Sequence, residues 1–386
     1  MKHVEKAAFI NIIDYVKKEQ KALSLPSFRD TDALVFAQLS YLDFSVFKNG
    51  MTLSKMGERA DEAAAKSHAK TNNRDLLLAV AGSRRFKEVK VIRYVCETNL
   101  LFEMQFSATT FVINRRLIFV AFRGTDDTIN GWKEDFNMVF IDEIPAQSRA
   151  SAYLKSATSH YRFHKVIVGG HSKGGNLAVY SAMKQSRSLR QRISRVYSLD
   201  GPEFRDEIST SHEYTTLLPK VIKIVPESSI IGMIMQSGSY YYIVKSEGTL
   251  LAQHNLYNWH VDIELGDLVH QSALSKSSER IKSSLYYWLN GFTIEDRQII
   301  IDAFFDMLSA SNCMTLSEFS DNLMANIKII YGEYREADDH TKKLLRRTLF
   351  NLAKYLIMSY FQKTDKPRVP KTKVDKKKAN ELSEEA

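Results

Sequence analysis

The sequence predicts an α/β protein with a mostly parallel central sheet, an antiparallel hairpin before that sheet and a helical bundle after it. Strand-like and helical segments alternate between residues 117 and 270, which is the pattern of parallel βαβ units. Within this part, an apolar β-branched run at 166–168 stops at two glycines, and a helical pattern follows. Strand signals end near residue 271, and only helical patterns come after it.

The N-terminal part is predicted to be mainly helical. Residues 1–29 are predicted to form a helix and a connector. Apolar residues at helical spacing predict a helix over 31–44, with Asp30 or Thr31 as its N-cap. The segment 51–83 is rich in Ala, Lys and Glu, and it is also predicted to be helical.

β-Branched and aromatic residues predict three strands before the alternating part, at 86–97, 102–114 and 117–123. The loop 114–116 joins the last two strands as a hairpin. The predicted elements that follow are helices 130–139 and 147–161, strand 165–168, helix 173–185, and strands 195–199, 220–225, 240–245 and 250–253. Because helices connect consecutive parallel strands in right-handed crossovers, we expect an α/β-hydrolase fold in a domain spanning 30–270.

Amphipathic patterns predict three or four helices after the sheet, over 275–288, 294–309, 316–334 and 341–361. They define a predicted helical domain at 271–362, in which no motif indicates a particular protein partner. Residues 363–386 are rich in lysine and carry two prolines, which predicts a disordered basic tail. Solvation is the first interpretation of this tail, and weak peripheral membrane association is the second.

The composition is typical of a soluble globular protein, with 44% hydrophobic and 26% charged residues. No apolar run approaches the ~20 residues that cross a bilayer, and the first residues lack the apolar core of a signal peptide. The cysteines Cys96 and Cys313 lie far apart without metal-ligand spacing. We therefore expect a cytoplasmic protein without a disulfide framework, metal or cofactor. Specific nucleic-acid binding is not expected, because one third of the net charge of +9 comes from the tail, which has eight basic and five acidic residues.

Ser172 is the candidate nucleophile, because it lies between Gly170 and Gly174 in a strand–turn–helix context. This G-x-S-x-G pattern forms a strained turn that leaves no room for side chains where neighbouring segments approach. The turn presents the serine oxygen near the positive end of a helix. A glycine-rich turn used only for packing, or one that holds a phosphate, is the alternative interpretation.

A serine nucleophile needs a histidine base held by a carboxylate, and in this fold the chain order is Ser, acid, His. His254 follows the last predicted strand and is the candidate base, with His260 as the alternative. Asp200 ends the strand after the elbow helix and is the candidate acid, with Glu227 at the end of the next strand as the alternative.

The oxyanion hole requires two fixed hydrogen-bond donors. The first candidate is the backbone N–H of Lys173, the residue after the nucleophile. The second is Thr125, in the loop after the strand at 117–123, where Gly124 permits a close backbone approach. The other interpretation of this loop, a turn before the next helix, is compatible with that role.

Several stretches combine into a specific pattern. They are Gln38-Leu39-Ser40-Tyr41-Leu42-Asp43-Phe44, Ser83-Arg84-Arg85-Phe86, Phe122-Arg123-Gly124-Thr125, Gly131-Trp132-Lys133-Glu134-Asp135, Gly170-His171-Ser172-Lys173-Gly174-Gly175, Ser198-Leu199-Asp200-Gly201-Pro202, Val225-Pro226-Glu227-Ser228-Ser229 and Gln253-His254 with Trp259. Over roughly residues 30–265 the chain resembles the class 3 lipase-like α/β hydrolases, and in detail a bacterial branch of them, the Mbeg-like lipase-fold family.

The resemblance implies ester hydrolysis with Ser172 as nucleophile and Thr125 in the oxyanion hole. It also shows a departure, because fungal and plant class 3 lipases carry their acid in an Asn-Asp-x-Val-Pro motif. The comparable segment 227–231 contains no aspartate. The Asp200-Gly201-Pro202 stretch is instead similar to the strand end that carries the acid in pancreatic-type lipases.

The sequence thus predicts a serine hydrolase that cleaves a carboxylic ester of a lipid or acyl group through an acyl-enzyme. The apolar run 230–235 is predicted to be core, or to line the mouth of the site and contact an acyl chain. Two alternatives stay open. One is a thioesterase or peptidase with the same triad, and the other is a catalytically silent binding protein that keeps the fold.

Overall fold

A computed structural model of the chain describes residues 9–67, 69–126, 128–235 and 240–361. The predicted basic tail at 363–386 lies outside these residues. One nine-stranded sheet organises the described part, and two short strands pair separately. The strands are β1 (Met51–Thr52), β2 (Lys90–Asn99), β3 (Met104–Asn114), β4 (Leu117–Phe122), β5 (Lys165–His171), β6 (Ile193–Leu199), β7 (Val221–Pro226), β8 (Tyr242–Val244), β9 (Val261–Asp262), β10 (Asp267–Leu268) and β11 (His270–Gln271).

The strand order in the large sheet is β1-β2-β3-β4-β5-β6-β7-β8-β11. Strands β4 to β8 run parallel. Strands β1 to β4 are antiparallel, and β11 pairs antiparallel with β8 at the other edge. This mixed topology confirms the predicted α/β-hydrolase fold with its N-terminal hairpin. The carboxyl ends of the parallel strands meet at one edge, where ligands bind in open α/β sheets.

Helices cover both faces of the sheet. They are α1 (Ile12–Lys18), α2 (Asp30–Leu39), α3 (Leu53–Met56), α4 (Ala60–Ala64), α5 (Lys70–Gly82), α6 (Ile129–Asn137), α7 (Pro145–Thr158), α8 (Lys173–Met183), α9 (Arg187–Arg192), α10 (Asp206–Ser209), α11 (His212–Leu217), α12 (Lys276–Asn290), α13 (Ile294–Ser309), α14 (Leu316–Asp321), α15 (Leu323–Glu336) and α16 (Asp339–Phe361). Neighbouring residues of β4 point to opposite faces. Phe119 therefore packs with Phe36 of α2, while Val120 joins the cluster that contains Leu177 of α8.

The predicted N-cap of α2 is wrong. Asp30 is the first helical residue and Arg29 occupies the cap position. The Arg29 backbone N–H donates to Asp32 Oδ2 at 2.8 Å. Asp32 is buried and also pairs with the guanidinium of Arg85 at 2.5 Å. The ion pair with Arg85 holds the Asp32 carboxylate in the position that caps α2. The N-cap of α2 therefore lies one or two residues earlier than predicted.

The predicted strand at 250–253 is also wrong, because Leu250–His254 forms a 3-10 turn. Its first hydrogen bond runs from the N–H of Ala252 to the carbonyl of Thr249. The Gln253 side chain donates to the Gly248 carbonyl at 3.0 Å, and the Trp259 indole donates to the Gln253 carbonyl at 2.8 Å. These local bonds satisfy the turn without a neighbouring strand, and β11 takes the sheet edge instead.

The C-terminal helices pack directly on the sheet-containing part. Leu289 of α12 and Phe305 of α13 share a core with Ile129 of α6 and with Val139.

The single helix predicted at 316–334 is wrong, because α14 and α15 are separated at Asn322, whose φ and ψ of −122° and 38° are not helical. Among the helices of the described ranges, none has the length and hydropathy to cross a membrane. The domain boundaries stay predictions.

Candidate active site

Ser172 lies in a strained turn between β5 and α8. Its backbone has φ 58° and ψ −132°, a left-handed conformation that costs a non-glycine residue about 1–3 kcal/mol. A Cβ atom on Gly174 would lie 2.1 Å from the carbonyl oxygen of Phe122, and one on Gly170 would lie 2.3 Å from that of Gly174. Both glycines are therefore required by the close approach of neighbouring backbone, as the elbow pattern predicts.

His254 and Asp200 lie together at the same edge of the sheet. The Nδ1 atom of His254 is 2.6 Å from Oδ2 of Asp200. The second oxygen of this fully buried carboxylate accepts hydrogen bonds from the Ser229 hydroxyl at 2.5 Å and from the Gly232 N–H at 3.1 Å. The carboxylate is thus held in one orientation, with one oxygen left for His254. Ser172 and His254 line the same cavity.

The structure does not bring the two alternative residues into this arrangement. His260 Nε2 pairs with Glu247 Oε1 at 2.7 Å. Glu227 accepts a long hydrogen bond of 3.5 Å from the Ser246 N–H. Neither His260 nor Glu227 lines the cavity that contains Ser172.

Both candidate oxyanion donors line the cavity. Lys173 is the first residue of α8, and Thr125 follows β4. The Thr125 hydroxyl donates to Asp135 Oδ2 at 2.5 Å. This bond leaves the backbone N–H of Thr125 as the donor that can face a substrate. A Cβ atom on Gly124 would lie 2.4 Å from the Tyr41 hydroxyl and 2.9 Å from the Ser172 Cβ, so the loop needs glycine there.

The side chain of Lys173 has a role that the sequence analysis missed. Its Nζ atom lies 2.9 Å from Glu134 Oε2 and 3.5 Å from Asp135 Oδ1, and both side chains of the Lys173–Glu134 pair are fully buried. Burial, opposed by Lys173, raises the pKa of Asp135 to about 6. Through Asp135 and Thr125, this ion pair connects the elbow helix α8 to the second candidate oxyanion donor.

His171 contacts the loop of the candidate base. Its Nε2 atom lies 2.8 Å from the carbonyl oxygen of His254, and its Nδ1 atom lies 2.8 Å from the hydroxyl of Tyr41. A carbonyl only accepts hydrogen bonds, so Nε2 carries the proton and Nδ1 accepts from Tyr41. Burial and the neighbouring His254 ring lower the pKa of His171 well below 6.5, and the imidazole stays neutral.

The cavity above Ser172 has a volume of about 320 Å³. Most of its wall is apolar, and the larger apolar side chains are Trp132, Phe136, Met138, Val139, Ile231, Ile234, Leu251, Leu285, Trp288 and Leu289. The run 230–235 contributes to this wall through Ile231 and Ile234, while its Met233 is buried in the core. Within the described ranges no group of His, Cys, Asp and Glu side chains could hold a metal ion.

A family model, Mbeg1-like, matches residues 80–306, which is more than half of the chain. The chain belongs to the Mbeg1-like family. This match includes the elbow, both candidate triad partners, α12 and most of α13. The resemblance to the Mbeg-like family noted in the sequence is therefore confirmed, and the strand order of the sheet is that of an α/β-hydrolase fold. A comparison with curated proteins gives no match.

Solved lipase structures show a distant likeness to this Mbeg1-like chain. The mono- and diacylglycerol lipase of Aspergillus oryzae is 16% identical, with a TM-score of 0.38, over 57% of this chain and 82% of that one. The Rhizomucor miehei lipase–propeptide complex is 16% identical, with a TM-score of 0.36, over 59% and 74%. The Lip2 lipase of Yarrowia lipolytica is 12% identical, with a TM-score of 0.34, over 67% and 99%.

Proposed function

We propose that this protein is a serine hydrolase that cleaves a carboxylic ester with an apolar acyl group. The observation that carries the proposal is the hydrogen bond of 2.6 Å between His254 and Asp200, beside a strained Ser172 in one apolar cavity. A nucleophile, an acid and a base in this chain order, Ser172, Asp200 and His254, have the roles of a catalytic triad. The apolar wall favours an acyl chain over a charged substrate.

In the proposed reaction, Nε2 of His254 accepts the proton of the Ser172 hydroxyl as Oγ attacks the ester carbonyl carbon. The backbone N–H groups of Thr125 and Lys173 stabilise the resulting oxyanion. When the tetrahedral intermediate collapses, His254 returns the proton to the leaving alcohol, and an acyl-enzyme remains. Water, activated by His254, then releases the carboxylic acid. Asp200 keeps the proton of the imidazole on Nδ1 and stabilises the imidazolium.

Labelling with a fluorophosphonate probe tests the proposal directly, because such a probe reacts with an activated serine. We expect covalent labelling of the wild-type protein and none of Ser172→Ala. Ser159 is exposed at the end of α7, so Ser159→Ala is the matched control, and we expect it to keep full labelling. The absence of labelling in folded wild-type protein would favour the binding-protein alternative.

A comparison of substrates separates the ester from the other two acyl-transfer alternatives. We expect release of p-nitrophenol from short acyl esters at a rate that Ser172→Ala abolishes. Acyl thioesters and peptides tested in parallel should react more slowly. A higher kcat/KM for a thioester or a peptide would transfer the proposal to that substrate class.

Weak binding of the basic tail at 363–386 to anionic lipid stays a prediction, which vesicle sedimentation tests.

A further inference from the structure

Helix α12 forms part of the wall above the candidate nucleophile, although it lies about a hundred residues further along the chain. Leu285, Trp288 and Leu289 all line the cavity that contains Ser172. Their spacing of three and four residues places them on one face of the helix. Tyr286 lies on another face, is 58% exposed and lines a different cavity. The helical segment is therefore a part of the candidate site.

Helix α6 forms the neighbouring part of the wall with Trp132 and Phe136, and its inner side is fixed to the sheet. Glu134 of α6 accepts hydrogen bonds from the backbone N–H groups of Gln105 and Ala146, both at 2.9 Å. The same carboxylate pairs with the buried ammonium of Lys173. Moving α6 away from the sheet would leave these buried charges unpaired, which strongly disfavours the movement.

The start of α6 and the segment after it are hydrogen-bonded to the C-terminal part of the chain. The N–H of Ile129 donates to the carbonyl of Met314 at 3.0 Å. The guanidinium of Arg297, in α13, donates to the carbonyl of Val139 at 3.1 Å. The wall of the cavity is thus attached at both ends of α6, and α12 belongs to the same packed unit.

We propose that α12 is a fixed wall of an acyl-binding pocket, in which Trp288 sets the length of the acyl chain that fits. This inference rests on the proposed ester hydrolysis. A cavity of about 320 Å³ lies at the small end of ligand pockets, which span about 300–1,000 Å³. It suits one short or medium acyl chain, and the enzyme takes single dispersed ester molecules from water.

A chain-length series of p-nitrophenyl esters tests the assignment of Trp288. For the wild-type protein we expect kcat/KM to be at least tenfold higher for butanoate or octanoate than for palmitate. Trp288→Ala should raise the palmitate-to-butanoate ratio of kcat/KM at least fivefold, because removal of the indole enlarges the pocket. Trp288→Phe keeps most of the volume and should keep the wild-type ratio, as should the control Tyr286→Ala. The ratio within one preparation does not depend on the folded fraction.

Leu285→Ala provides a second, smaller enlargement if Trp288→Ala fails to fold. Equal rates for palmitate and butanoate in wild type, or an unchanged ratio in both enlarged variants, would overturn the assignment while leaving ester hydrolysis intact. A protein that neither reacts with the fluorophosphonate probe nor cleaves any ester overturns the proposed function, and this inference with it.

The fixed wall is tested with butanoate ester concentrations that pass through the solubility limit. We expect hyperbolic saturation below this limit and no increase in rate when droplets form. A rise of fivefold or more above the limit would show that the wall opens at a lipid surface, and it would overturn the fixed arrangement. The same measurement on Tyr286→Ala serves as the control.

Discussion

The Nε2 atom of His171 lies 2.8 Å from the carbonyl oxygen of His254, so the residue before the candidate nucleophile holds the loop of the candidate base. The two imidazole rings are also in contact in a tilted arrangement, with centroids 4.3 Å apart and an interplanar angle of 36°. On its other side His171 accepts a hydrogen bond from Tyr41. The bond from Nε2 of His171 goes to the backbone of His254 and not to its ring. His171 therefore fixes the position of the candidate base, and it does so as a neutral imidazole.

Replacement of His171 is expected to lower kcat more than it raises KM. His171→Leu removes both hydrogen bonds and frees the 254 loop, and misplacement of about 1 Å can cost on the order of 100-fold in rate. We expect kcat to fall by 10- to 100-fold. Tyr41→Phe removes only the hydrogen bond to Nδ1 of His171, and it should lower kcat less than His171→Leu does. An unchanged kcat in folded His171→Leu would show that the loop is held by other contacts.

The buried His171 also predicts a dependence of stability on pH. Its pKa is lowered well below 6.5 in the folded state, so below pH 6.5 the unfolded chain binds a proton that the folded chain does not. The contribution of His171 is therefore complete above pH 6.5 and is lost as the pH falls. We expect the difference in unfolding free energy between wild type and His171→Leu to shrink by up to about 1.4 kcal/mol per pH unit. Urea unfolding between pH 7 and 5 measures it, and a constant difference would contradict the neutral assignment.

The identity of the acid and the base is tested by two matched pairs of variants. Asp200→Asn should lower kcat by about 10⁴-fold, because the amide leaves His254 in the wrong tautomer. Glu227→Gln should keep near wild-type activity. In the same way His254→Ala should abolish ester hydrolysis, whereas His260→Ala should not. The reverse result in either pair would reassign that member of the triad.

The buried pair of Lys173 and Glu134 is expected to contribute to stability as a unit. Lys173→Met leaves the Glu134 carboxylate buried without its cation, which typically costs about 3–5 kcal/mol. The double variant Lys173→Met with Glu134→Gln removes the charge and should recover part of that loss. Urea unfolding of both single variants and the double variant gives the coupling energy. Additive effects would show that the two charges act independently.

Local patterns account for what the sequence predicted well. The Ser172 turn follows from a steric demand within a few residues, and Asp200 follows from the rule that parallel strands end at one edge. His254 was identified next to a predicted strand, yet the structure has a 3-10 turn there. His254 could still be selected, because the choice depends on the order of the elements along the chain, and the sequence shows this order.

The missed features all join residues that are distant in sequence. The partners of the buried pair, Lys173 and Glu134, are 39 residues apart, and Tyr41 is 130 residues from His171. The contribution of α12 to the cavity depends on how the helical segment packs, which no local pattern encodes. The lysine directly after the candidate nucleophile is a signal for this pair, because that position begins the elbow helix next to the sheet, and a cation buried there needs a carboxylate.

Tyr41 lies upstream of the segment 80–306 that matches the family model. A shortened protein that starts at residue 80 would therefore keep the elbow and both its candidate partners but lose the phenol that orients the imidazole of His171. It would also lose Phe36, which packs against Phe119 of the central sheet. Limits for recombinant expression should accordingly be set by the packing of α2, and not by the extent of family similarity.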